Sequence, residues 1–330
     1  MKQNKFPSRT RRSWIVLLII ALVLGFAGSL FIPWNVRSLS SQPHPTQNYD
    51  EAVGRIDALL AGRESQMNPD CLVQFMTHGQ KVQNAIILVH GYTSCPAQFR
   101  ALGERFYDLG YNVLIAPLPH HGLADRMTDD QAQLTANELA AYADEIVDIT
   151  QGLGEQVSMM GISGGGVTTA WAAQNRSDLD TAMIISPAFG FQQIPTPFTV
   201  VVMNAFFFLP DAYEWWDPVL QTDIGPLHAY PRYSKHALAQ TLRLGFAVQG
   251  KARRSAPAAH RLIVVTNAND MSVNNLMTAQ VVTNWQAHDA NITTYEFPLS
   301  LKLGHDLIDP AQPDQQIDIV YPELIDLITQ

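Results

Sequence analysis

The run Gly161-Ile162-Ser163-Gly164-Gly165 constrains this chain more than any other feature. It follows the uncharged stretch Val157–Met160 and opens a stretch where Val167, Ala170 and Trp171 recur at helical spacing. A serine flanked by glycines at a strand-to-helix junction requires a turn too sharp to leave room for neighbouring side chains. That turn lifts the Ser163 hydroxyl above the end of a sheet, at the positive end of the helix that follows. Ser163 is therefore a candidate nucleophile, and the strand before it belongs in a sheet covered by helices.

The rest of the chain repeats the strand–helix alternation. Predicted strands are Leu72–Met76, Ala85–Val89, Tyr111–Ala116, Gln156–Met160, Thr181–Ile185, Leu262–Val265 and Ile292–Phe297. Several lack polar alternation, as strands covered on both faces do. Phe99, Leu102, Phe106 and Leu109 form one helical stripe ending at Gly110; Leu134, Leu139, Tyr142, Ile146 and Ile149 form another. The pattern predicts an α/β fold with a mainly parallel, doubly wound sheet. From Pro187 to His260 no strand is evident, and the segment carries Phe206-Phe207-Phe208 and Trp215-Trp216. A stretch that long holds structure of its own, here a helical cap at about 187–260. Its aromatic residues either line an apolar binding surface or make the cap's own core.

A serine hydroxyl needs a base, and the base an orienting acid. At a turn of this kind the chain order is serine, acid, histidine. His305, in the loop Leu303-Gly304-His305-Asp306 after the last strand, is the candidate base; His288 falls in a helical stretch. Asp270 follows the buried strand Leu262–Val265, and functional groups gather beyond the carboxyl ends of such strands. Asp306 and Asp309 compete with it but lie on the histidine's own loop. The oxyanion needs two backbone donors, and Gly164 and Tyr92 are the candidates, the latter in His90-Gly91-Tyr92-Thr93-Ser94 after the strand Ala85–Val89.

Taken together, His90-Gly91, Pro119-His120-His121-Gly122, the turn at Ser163, Asp270 and His305 resemble the α/β-hydrolase superfamily. Within it they are most similar to the bacterial carboxylesterase and monoacylglycerol-lipase-like group, which includes serine aminopeptidase-like members. The resemblance covers roughly residues 70–330. It implies an eight-stranded core, a cap inserted after the sixth strand, and no cofactor. Many members carry an Asp-x-x-Gly-His-Gly run where this chain has Pro117-Leu118-Pro119-His120-His121. A metal site at His120, His121 and Asp125 is the other use of that stretch, but adjacent histidines rarely face one ion.

The N-terminus adds a second theme. Lys2, Lys5, Arg9, Arg11 and Arg12 form a basic tail over residues 1–12, and Ser13–Val36 has no charged residue. Trp14–Ile32 as a helix reaches about 28 Å, close to the hydrocarbon thickness of a bilayer. The sequence thus predicts a transmembrane signal-anchor at 13–36, a linker at 37–49, and a catalytic body at 50–330 on the extracytoplasmic side of the cell membrane. A cleaved signal peptide ending near Ala27-Gly28-Ser29 is the alternative. Outside the cytoplasm, Cys71 and Cys95, the only cysteines, are expected to pair. The net charge of −9, with the basic tail set apart from a more acidic body, argues against nucleic-acid binding. The function expected is hydrolysis of a small-molecule or lipid ester through an acyl-enzyme on Ser163. Its rivals are an aminopeptidase, holding a substrate ammonium on Asp211, Glu214 or Asp217, and a catalytically silent, membrane-tethered binding protein. Oligomeric state is not legible.

Overall fold

The structure, a computed structural model, describes residues 8–59, 61–223 and 225–330. Its strands are β1 (Gln74–Met76), β2 (Val82–Val89), β3 (Asn112–Ile115), β4 (Gly154–Ile162), β5 (Thr181–Ile185), β6 (Tyr213–Trp215), β7 (Arg232–Ser234), β8 (Arg261–Asn267) and β9 (Ile292–Phe297). Seven form one sheet in the order β1-β3-β2-β4-β5-β8-β9, parallel throughout except for the edge strand β1. Every strand read from the sequence is present. Among the described residues the sheet has seven strands, one fewer than the eight the resemblance implies, and the cap follows its fifth strand, β5.

The helices are α1 (Ser8–Ser29), α2 (Tyr49–Ala58), α3 (Arg100–Asp108), α4 (Ala136–Gln151), α5 (Gly164–Asn175), α6 (Thr199–Phe208), α7 (Lys235–Ala252), α8 (Asn275–Gln286) and α9 (Ile317–Thr329). Two cores sandwich the sheet because successive strand residues point to opposite faces. Ala85, Ile87 and Val89 of β2 join α4, α5, α7 and α8 on one face. Ile86 and Leu88 join α3 and α9 on the other. Strands buried on both sides have no solvent face to mark with polar residues, which explains their unbroken apolar runs. The stop at Gly110 also holds: its φ of +90° is a left-handed conformation that glycine adopts without strain.

The segment expected as cap divides in two. Its last part, α7, buries Ala237, Leu244, Val248 and Ala252 in the main core. It is the crossover helix that joins parallel strands β5 and β8, so the structure standing off the sheet ends near Ser234. That structure holds α6 and the antiparallel hairpin β6–β7, which the sequence did not disclose. Phe206 and Phe207 pack on Val200, Met203 and Leu242 in a small core between α6 and α7. Phe206 and Phe207 are thus spent on packing, whereas Phe198, Phe208 and Trp216 remain partly exposed.

The N-terminal segment departs most from expectation. Among the described residues no helix is long and apolar enough to cross a membrane. The apolar run is not one helix: α1 ends at Ser29, leaving about 24 Å from Trp14 onward. Beyond it the chain turns onto the cap, where Asn204 Nδ2 donates to the carbonyls of Leu30 and Ile32, both at 2.9 Å. Phe26 and Trp34 both meet Phe208 edge-on. The stretch expected as a linker is a strap fixed along the body. Ser41 Oγ and the Gln42 amide donate to Asp144, and the His44 amide donates to Asp148, at 2.6–2.8 Å. Both carboxylates also meet buried Arg176, at 3.3 and 2.6 Å, so the strap shares an ion cluster with α4 and α5.

Candidate active site

Ser163 joins β4 to α5 with φ 56° and ψ −116°, a left-handed backbone that a serine adopts only under constraint. The flanking glycines show the constraint. A Cβ at Gly161 would overlap Gly165 O and Thr169 Oγ1, and one at Gly165 would overlap the carbonyl oxygens of Val89 and His90. The turn is wedged between β2 and its own helix. It is pinned from β5 as well: the Ser163 amide donates to Ile185 O at 3.0 Å, and Ser163 O accepts from Ala188 N at 3.1 Å.

His305 and Asp270 meet as expected. His305 Nδ1 lies 2.7 Å from Asp270 Oδ2, while Asp270 Oδ1 accepts from the amides of Ser272 and Val273 at 2.9 and 3.0 Å. Burial alone would raise the Asp270 carboxyl, but the charge and hydrogen bond of His305, with the two amides, hold it below its ordinary value. Burial likewise tends to lower His305, yet the charge and hydrogen bond of Asp270 and the charge of Asp306 leave it raised. The order β4-β5-β8-β9 brings the turn at Ser163, the Asp270 loop and the His305 loop to the carboxyl ends of neighbouring strands. Among the described residues no hydrogen bond joins Ser163 Oγ to His305 Nε2; such contacts commonly tighten only once substrate is bound.

The competing carboxylates have other work. Asp306 caps its own turn through the amides of Ile308 and Asp309 and accepts from Gln312. Asp309 accepts from the Ala311 amide and lies 2.8 Å from His228 Nε2. His288 follows the end of α8, where its amide donates to Trp285 O.

Tyr92 and Gly164 face each other. A Cβ built on Gly164 would lie 3.2 Å from Tyr92 N, and one on Gly91 would lie 3.5 Å from Ser163 Cβ. Among the described residues neither the Tyr92 amide nor the Gly164 amide donates to a protein acceptor. Two open N–H groups therefore border the serine. The loop behind them is fixed by Gln98, which sequence reasoning missed, and by His90, which it named only as part of a motif. Gln98 Oε1 accepts from the Gly91 amide at 2.8 Å. Buried His90 keeps Nδ1 2.8 Å from Gly91 O and accepts the Leu118 amide on Nε2 at 2.9 Å. Burial, then the neighbouring His121, push His90 well below the usual imidazole value, so it is a neutral brace.

Asn267 and Asn269 were also missed. Their side-chain amides donate to Leu303 O and, from Asn267, also to Gly304 O, tying the loop of the acid to the loop of the base. Two asparagines beside Asp270 in Asn267-Ala268-Asn269-Asp270 were the available signal. Around the paired histidines the side chains diverge. His120 sits between Asp130 and Glu138, His121 Nδ1 lies 2.7 Å from Pro119 O, and Asp125 caps the turn at Met127. Burial lowers His121 to about 4. Cys71 and Cys95 form a disulfide with Cα atoms 5.3 Å apart, fastening the end of the Gly91–Cys95 loop to the segment before β1.

Residues 80–297 match the family model described as serine aminopeptidase, S33. The chain belongs to that family of α/β hydrolases. A thermostable monoacylglycerol lipase of Bacillus sp. (strain H-257) is 28% identical over 94 residues, a match spanning 28% of this chain and 36% of that enzyme. Among solved structures, a report on two metagenome-derived lipolytic enzymes provides one with a TM-score of 0.61 at 19% identity, covering 80% of this chain and 99% of its own. The monoacylglycerol lipase of Paleococcus ferrophilus superposes with a TM-score of 0.58 at 16% identity, covering 77% and 96%. The resemblance to esterases and monoacylglycerol lipases read from the motifs is thereby established at the level of the group, and the structural likenesses establish the fold.

Proposed function

We propose that this protein is a serine hydrolase that cleaves carboxylic esters through an acyl-enzyme on Ser163. The observation that carries the reading is the 2.7 Å His305–Asp270 pair at the strand ends that also present the strained Ser163 turn. Asp270 holds Nδ1–H, which leaves Nε2 of neutral His305 to take the Ser163 proton as Oγ attacks the ester carbonyl. The Tyr92 and Gly164 amides stabilise the oxyanion of the tetrahedral intermediate. Protonated His305 then returns its proton to the departing alcohol. Water, deprotonated by His305, attacks the acyl-enzyme and releases the acid.

An apolar acyl group is the substrate class favoured, on the lipase character of the relatives rather than on the cap's aromatics. Aminopeptidase action through the three cap carboxylates is less favoured because each is engaged. Asp211 accepts from Ser234 Oγ and the His236 amide, Glu214 pairs with Lys235 at 2.6 Å, and Asp217 caps Val219 and Leu220. A silent binding protein has no use for a strained serine beside a histidine–carboxylate pair. A panel of p-nitrophenyl esters of increasing chain length, run beside aminoacyl amides, tests the choice. Turnover of the amides but not the esters overturns it.

The same reading tethers the body outside the cytoplasm through α1. The exposed side chains of Trp14, Leu17 and Leu24, the basic residues of the tail and the disulfide support it. Recovery of the full chain in the soluble fraction, with Cys71 and Cys95 both alkylatable, counts against it.

A further inference from the structure

Thr93 is the strained member of the loop that carries Tyr92. Its φ is +69°, a conformation rare for a β-branched residue, and it stands third in the turn closed by the Ser94 amide on Gly91 O. Glycine or asparagine is the usual occupant there. A threonine persists in such a place only where its surroundings over-determine it. Here those surroundings are the cap. Trp216 Nε1 donates to Thr93 Oγ1 at 2.9 Å, and the Tyr230 amide donates to Thr93 O at 2.8 Å. One residue earlier, Tyr92 OH accepts the Ser234 amide at 3.0 Å and bonds Gln131. Thr93 is 5% exposed and Tyr230 2%, so both acceptor atoms of Thr93 sit on a buried residue, although the Trp216 ring itself is partly open to solvent.

These cap contacts fall on Tyr92 itself and on the residue after it. The cap thus holds Tyr92 at the tip of its side chain and Thr93 at its hydroxyl and carbonyl. Tyr92, whose own N–H is the open donor, is held from its side chain and from the residue that follows it. We propose that Thr93 is a positioning residue through which the seated cap holds the Tyr92 amide in the oxyanion hole. The proposal rests on the acyl-enzyme reading above. Its consequence is that turnover is coupled to cap seating: an ester that props Trp216 and Tyr230 away from the loop binds but reacts slowly. Misplacement of a catalytic group by about 1 Å can cost on the order of a hundredfold in rate.

The test uses the full chain with p-nitrophenyl butyrate and a fluorophosphonate probe. Thr93→Val removes the acceptor and keeps the shape; Trp216→Phe removes the donor and keeps a ring. Each is expected to lower kcat at least about tenfold with KM changed less than about threefold. Thr93→Ser keeps the hydroxyl and should stay within about threefold of the wild-type kcat. The double variant should be no slower than the slower single, because both remove one bond. Wild-type kcat in both singles, a change confined to KM, or additive losses overturn the positioning role. Should Thr93→Val not fold, Trp216→Phe decides alone. A wild-type chain that the probe does not label at Ser163 sinks the acyl-enzyme reading instead, so the two failures are distinct.

Discussion

Asp270 and His305 oppose burial with one another, and the outcome fixes how the site should respond to pH. The base must be neutral to accept the Ser163 proton, and His305 is held above its ordinary value of 6.5. The expected kcat/KM therefore rises with pH along a limb centred above that value. The pair also contributes to stability in a defined window. The part carried by raised His305 is complete below the ordinary imidazole value and lost as pH rises through the raised one. The part carried by depressed Asp270 is present above the ordinary carboxylate value and lost as pH falls through the depressed one. Asp270→Asn keeps the shape but leaves Nδ1 facing the wrong partner, and should lower kcat by about 10³–10⁴-fold in a protein whose circular dichroism is unchanged. A loss below tenfold would mean another group orients His305. At this scale the sequence was informative: the glycines around Ser163, the loop position of His305 and the strand end before Asp270 are local signals. Asn267, Asn269 and Gln98 were not legible in the same way, because each acts on a backbone group that only the folded chain brings near.

Among the elements, those with local periodicity were legible and those defined by long-range partners were not. The central sheet strands announce themselves as short apolar runs, whereas the 37–49 strap, rich in serine and proline, reads as a tether. Partners about a hundred or more positions away, Asp144, Asp148 and Arg243 among them, make it part of the body. The same holds for α7, whose apolar stripe is visible but whose partner layer is not. The disulfide links two of these levels, since it fastens the loop of Tyr92 to the edge of the sheet. Closing a loop of 24 residues by the chain-entropy relation is worth about 3 kcal/mol. Reduction should lower the melting temperature by several degrees, measured by calorimetry with and without dithiothreitol. An unchanged midpoint would show that the bond does not restrain the unfolded chain. The clamp on the turn after α1 makes a further prediction. Asn204→Ala removes two hydrogen bonds to the turn after α1 and should cost about 1–2 kcal/mol locally. Limited proteolysis near residues 30–36 should then accelerate about tenfold or more, and equal cleavage rates would argue that the aromatic contacts and the Arg243 bonds to Asn35 hold this turn without Asn204.

Over the whole molecule, an acidic body with a sheet covered on both faces carries a cap, and an N-terminal helix is docked to that cap rather than hanging from a flexible linker. Among the described residues, most apolar side chains of α1 from Trp14 to Phe26 are exposed. Full-length protein should therefore bind vesicles containing anionic lipid, and a chain beginning at Val36 should bind them much more weakly in a flotation assay. Equal flotation of the two would remove α1 as the tether. None of this bears on the chemistry, which rests on a single oxygen atom. The decisive measurement is peptide mapping by mass spectrometry after the full chain has reacted with a fluorophosphonate probe, with Ser163→Ala carried alongside. The account predicts one adduct, on the peptide bearing Ser163, and no labelling of the folded alanine variant. An adduct on another residue, or equal labelling of Ser163→Ala, would contradict it.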